Sequence, residues 1–133
     1  MRWFLVIAVA VAVGLPGGAA AGWSLTGSGG SAAKAKTLGA GNVPTTSASG
    51  KKVTVSWAAS SYTNGGAPGG YLVKRYDAST GVVQTIRAAC SGTITALTCT
   101  ENNVPSGSWQ YTVTPATGNW RGPESAKSVT VTV

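Results

Sequence analysis

Lys51-Lys52-Val53-Thr54-Val55-Ser56-Trp57 sets three large apolar side chains at a period of two, with small hydroxyls and lysines between them. That alternation is the pattern of a half-buried strand. Val53, Val55 and Trp57 should face a core while Thr54 and Ser56 face water, and the residues beyond Trp57 should form further strands that close over it. Downstream, Val and Thr alternate repeatedly, and Leu and Ala lack helical spacing after about residue 40, so an all-β class is expected.

Upstream, Met1-Arg2 precedes an unbroken apolar run from Trp3 to Val13, then Gly14-Leu15-Pro16-Gly17-Gly18 and Ala19-Ala20-Ala21. These are the three parts of a secretory signal peptide, with cleavage expected after Ala21. Eleven helical residues at about 1.5 Å each reach only about 17 Å, short of a bilayer core of about 30 Å. The alternative is an uncleaved anchor, since residues 3 to 23 carry no charge and Trp23 suits a membrane interface. Residues 22–41 turn to Gly, Ser and Ala, a composition expected to act as a linker or an edge element. The domain proper is expected over residues 42–133.

Within it, Asn64-Gly65-Gly66 and Pro68-Gly69-Gly70 mark a long glycine-rich loop. Tyr71 to Tyr76 reads as a strand with Tyr71 and Val73 inward, and Asp77 to Gly81 turns it into a partner over Val82 to Arg87. A strand over Thr93 to Thr100 comes next. Trp109, Tyr111 and Val113 share one face of the strand after that, which Pro115 is expected to end. The closing strand, Val129 to Val133, adds Val129 and Val131 to the core. About seven short strands in this length indicate an immunoglobulin-like sandwich.

The order of these segments resembles a fibronectin type III domain from about Val43 to Val133. Val53 to Trp57 resembles the second strand with its core Trp, and Gly70-Tyr71-Leu72-Val73 the third. Val104-Pro105-Ser106-Gly107 resembles the turn before the sixth strand, and Gly122-Pro123-Glu124-Ser125 with Val129 and Val131 the final loop and strand. Trp109 stands where the family usually has its corner tyrosine, with Tyr111 two residues later. The resemblance implies an extracellular binding or spacer module, often an accessory to bacterial polysaccharide-degrading enzymes.

Chemistry is constrained by what is missing. The 133 residues include no His and only three acidic residues, Asp77, Glu101 and Glu124, which map to three different turns. Neither a general base nor a paired-carboxylate site is expected. No phosphate loop, zinc spacing or cofactor motif appears, so catalytic residues, metal and cofactor are all read as none. The net charge is +7, but no run of five or six basic residues exists, so nucleic acid is not an expected partner. A protein or polysaccharide at the cell surface fits better, with a membrane involved only if the N-terminal segment is retained.

Cys90 and Cys99 are the two cysteines, and an exported chain would join them as a disulfide. For binding, the loop containing Tyr62 and the loop containing Asn119-Trp120-Arg121 should emerge at one end of the sandwich, offering a flat aromatic face beside donors. The competing expectation, which a small domain's need for core favours, folds Trp120 down as a cap with Arg121 lying over it. Three roles are compatible with this reading: a non-catalytic secreted or surface binding module, an accessory polysaccharide-binding module, or a membrane-anchored spacer.

Overall fold

The structure, a computed structural model, describes residues 35–133. The expected signal or anchor segment, and the linker as far as Lys34, lie outside the described residues.

Among the described residues eight strands form two antiparallel sheets. They are β1 (Thr45–Ser49), β2 (Lys52–Ser56), β3 (Gly70–Asp77), β4 (Val83–Gln84), β5 (Thr98–Glu101), β6 (Ser108–Thr117), β7 (Trp120–Arg121) and β8 (Val131–Thr132). One sheet runs β1-β2-β5; the other runs β4-β3-β6-β7, with β8 also pairing to β6. A 3-10 turn, Ala88–Cys90, lies between β4 and β5.

The alternation in β2 places Val53 and Val55 fully out of water, each contributing about 1.5–3 kcal/mol of burial. Trp57 meets Tyr71 edge-on at 5.6 Å between ring centres, joining the two sheets. Val73, Cys90, Cys99, Val104, Trp109, Tyr111 and Val113 complete the core. The Cys90–Cys99 disulfide has its Cα atoms 5.5 Å apart and ties the 3-10 turn to β5.

Trp109 takes over the duty of a corner tyrosine. Its indole Nε1–H donates to the carbonyl of Pro105, four residues upstream, at 2.9 Å. Gly107 lies under the ring so closely that a Cβ there would fall 2.8 Å from Trp109 Cζ2.

Several boundaries differ from expectation. Pro115 does not end β6, which continues to Thr117. Its partner across the sheet, Tyr71, exchanges both backbone hydrogen bonds with Ile94 instead, so no N–H is missed where Pro115 faces β3. The stretch expected as a strand over Val82 to Arg87 shortens to two paired residues, and the one over Thr93 to Thr100 becomes a bridge at Ile94 followed by β5.

Val129, expected in the core, is 76% exposed, while Val131 is only partly buried. The cause is a break in the ladder beside β6. Ser125 and Ser128 insert their hydroxyls, which accept from the backbone N–H of Val113 and Tyr111. Their own N–H groups donate to the carbonyls of those same residues. Regular pairing resumes only at Val131, and Val129 is turned outward.

Residues 37–41, expected in the linker, are part of the sandwich. Leu38 is 5% exposed and bridges to Tyr62, Gly39 N–H donates to Ser61, and Gly41 N–H donates to Pro123. The edge that the small residues lacked in isolation is supplied by the glycine-rich loop. Gly41 is required there, since a Cβ would lie 1.9 Å from the Val113 carbonyl oxygen.

Candidate functional site

The end of the sandwich where β6 finishes gathers three segments: residues 37–41, the loop of residues 58–69, and the β6–β7 hairpin. Asn42 donates its side-chain amide to the carbonyls of Ala58 and Ala59, at 3.2 and 3.0 Å. Ser60 Oγ donates to Ala40, and Gly69 N–H donates to Thr117 Oγ1, both at 2.8 Å. Gly122 packs on Gly39 and Leu38, so the hairpin and the glycine-rich loop are joined through residues 38–41. Glycine-rich sequence here gives a loop held by many short polar contacts.

On this platform Trp120 is 63% exposed. The expectation that it caps the core is therefore overturned. It pairs with Thr117, the exposed last residue of β6, across the two-residue turn Gly118-Asn119, and Leu38 is a large apolar side chain buried at this end instead. Arg121 does not lie over the indole as expected. Its guanidinium folds back and donates to the carbonyls of Gly118 at 2.7 Å and Trp120 at 3.0 Å, stiffening the hairpin that carries Trp120. Tyr62 is half-buried on the adjoining loop, with Lys36 Nζ 5.7 Å from its ring centre. Trp120 and Arg121 are thus adjacent, and Tyr62 stands on the neighbouring segment at the same end.

The acidic residues do not all lie in turns. Glu101 is the last residue of β5, and none of its surface is exposed. It accepts from Arg75 Nη1, from Tyr111 Oη at 2.7 Å and from Arg87 N–H at 2.8 Å. Arg75, 4% exposed, also donates to the Thr85 carbonyl at 2.9 Å and stacks 4.8 Å from the Trp109 ring centre. Burial, reinforced by Glu101, pushes the Tyr111 phenol well above its ordinary range. This arrangement welds the two sheets and leaves Glu101 no lone pair facing solvent for acid or base work.

The signal for the pair was present in the pattern. Arg75 continues the inward series Tyr71, Val73, and Glu101 lies two residues beyond Cys99, so both occupy core positions by alternation.

On the outer face of the β3–β6 sheet, Glu124 accepts from Lys74 Nζ at 3.0 Å and from Tyr76 Oη and Thr112 Oγ1 at 2.5 Å each. Partial burial pushes its carboxyl up, but the three donors together outweigh that and hold it below its ordinary value. Lys127 Nζ covers the Tyr76 ring at 4.5 Å.

No protein-family model matches the sequence, and no curated protein matches it. Among solved structures the chain is similar to titin kinase and its flanking domains, with a TM-score of 0.60 and 17% identity over 73% of this chain. It is similar also to a run of titin domains, with a TM-score of 0.56 and 16% identity over 71%. It spans 17% and 32% of those two chains. A Fn3-like protein from Clostridium thermocellum matches 71% of this chain, and 91% of its own, at 26% identity and a TM-score of 0.48. Two antiparallel sheets in this order, the cross-sheet Trp57, the corner bond of Trp109 and the likeness to titin domains together give the fold: residues 35–133 form a fibronectin type III-like β-sandwich.

Proposed function

We propose that this chain is a non-catalytic extracellular or cell-surface interaction module that meets its partner through the end bearing Trp120. The observation that carries the reading is a large aromatic left mostly in water on a hairpin that Arg121 holds in shape. A small domain with so little apolar surface to spare gains by burying such a group, and an exposed Trp is the residue type most often found at the energetic centre of interfaces. The Cys90–Cys99 disulfide supports an oxidising location. Among the described residues no helix is long and apolar enough to cross a membrane.

A second reading, an accessory module for polysaccharide degradation, is favoured by the same exposed planar face standing beside the loop that carries Tyr62. Sugar rings stack on such faces while flanking amides and guanidinium groups take their hydroxyls.

Co-sedimentation of the purified full chain with the insoluble surface fraction of the producing cell tests both. Retention that Trp120→Ala abolishes supports the module, and retention by purified insoluble polysaccharide alone selects the second reading. Retention unchanged in Trp120→Ala contradicts the placement of the site, and hydrolysis of any glycan by the pure protein contradicts the non-catalytic assignment.

A further inference from the structure

The opposite end of the sandwich, where β5 leaves and β6 begins, carries an open-mouthed pocket of about 250 Å³ lined by Arg87, Ala88, Ala89, Asn102 and Asn103. Its walls are fixed from behind. Arg87 N–H is held by the buried Glu101, the disulfide ties the 3-10 turn to β5, and Val104 N–H donates to the Lys51 carbonyl at 3.0 Å. Asn103 adopts a left-handed backbone conformation, φ 56°, that reverses the chain at the pocket's edge.

The charge around it has one sign. Among the described residues Glu101 and Glu124 are bonded to Arg75 and Lys74, which leaves Asp77 as the one acidic side chain outside an ion pair. Against it stand Lys36, Lys51, Lys52, Arg87, Arg121 and Lys127. One of these six, Arg87, lines the pocket, and the Val104 N–H bond to the Lys51 carbonyl brings the Lys51 backbone to its edge. Arg87, Asn102 and Asn103 are exposed, and no carboxylate lines the pocket.

A guanidinium presents a fork that matches a carboxylate, and each side-chain amide offers both a donor and an acceptor. The same fork also takes phosphate or sulfate, but the oxygens of such an anion only accept and leave the amide oxygens of Asn102 and Asn103 without a donor. A wall of one guanidinium and two amides is suited to a group that combines a carboxylate with hydroxyls, and the volume suits one monosaccharide. We propose that this pocket binds an acidic sugar residue of a uronic-acid-type polysaccharide, with the carboxylate on Arg87 and the ring hydroxyls on Asn102 and Asn103. This assignment goes beyond the Trp120 reading and stands without it, since the two sites lie at opposite ends of the ten-residue strand β6.

The test is a titration of the full chain, in physiological salt, with oligogalacturonate, a neutral oligosaccharide of equal length and inorganic polyphosphate. Oligogalacturonate should bind, and Arg87→Gln and Asn102→Ala should each weaken it about tenfold, the loss of one charge-assisted or well-placed hydrogen bond. Lys127→Gln, on the outer face of the β3–β6 sheet and outside both sites, should leave it unchanged. All variants should melt like the parent; if Arg87→Gln melts lower, Asn102→Ala carries the comparison. Failure of oligogalacturonate to bind, binding of polyphosphate in its place, an unchanged affinity in the pocket variants, or an equal loss in Lys127→Gln would each overturn the proposal.

Discussion

Trp109 Nε1 and the Pro105 carbonyl oxygen are 2.9 Å apart, four residues along one chain, and that bond clamps the crossing from one sheet to the other. An indole does here what a phenol does in related sandwiches. Trp109→Phe keeps an aromatic ring but leaves the carbonyl without its donor, and should cost about 1–3 kcal/mol in urea unfolding. Gly107→Ala should cost about as much, because the added methyl meets the indole. An unchanged midpoint in both variants would remove the corner from the stability of the fold.

Arg75 and Glu101 should behave as a pair that is costly to break and cheap to replace. Glu101→Gln leaves the Arg75 guanidinium buried without its counter-charge, for an expected loss of about 3–5 kcal/mol. The double variant Arg75→Met with Glu101→Leu should lose less than the sum of the two single changes. Additive losses in a double-mutant cycle would show the two residues to be independent.

Replacing both Cys90 and Cys99 by Ala frees a loop of about ten residues in the unfolded chain. Chain entropy then predicts a loss of about 2.5–3 kcal/mol, read by comparing denaturant midpoints of the native and double-Ala proteins. The native protein should also have an intact mass two hydrogens below that of its reduced form.

Glu124 supplies a pH dependence of defined sign. Its folded pKa is depressed, after burial is outweighed by the donors Thr112, Tyr76 and Lys74. Its contribution is therefore fully present above the ordinary carboxyl pKa of about 4.3 and is lost as pH falls through the depressed folded value. The melting-temperature gap between the native protein and Glu124→Gln should be open at neutral pH and close in acid. A gap that widens in acid would reverse the assignment. Because the site is near the surface, the gap should be small and should shrink further with salt.

The two-sheet fold was legible because period-two alternation of apolar and polar residues survives in β2, β3 and β6; one face of β2 and of β3 is the more buried, whereas both faces of β6 are covered from Tyr111 to Ala116. Tyr71, Val73, Trp109, Tyr111 and Val113 could all be placed from it. Alternation misleads where side chains substitute for backbone. The hydroxyls of Ser125 and Ser128 break the pairing beside β6, and Val129 loses its place in the core although its stretch alternates without fault. Arg75 and Glu101 are hidden for a different reason: alternation puts both inside, but charge is expected outside unless a partner is known, and partners 26 residues apart are visible only once folded. Trp120 defeats the expectation of a cap because the cap of that end, Leu38, lies in a stretch whose small residues gain structure only from the edge offered by Tyr62.

The most direct measurement is the unfolding free energy of Trp120→Ala relative to the native chain. An indole built for contact contributes little to the folded state, and the expected difference is within about 0.5 kcal/mol. A loss of about 3–5 kcal/mol, the cost of emptying an aromatic site in a core, would return Trp120 to the interior and remove the observation on which the interaction module rests.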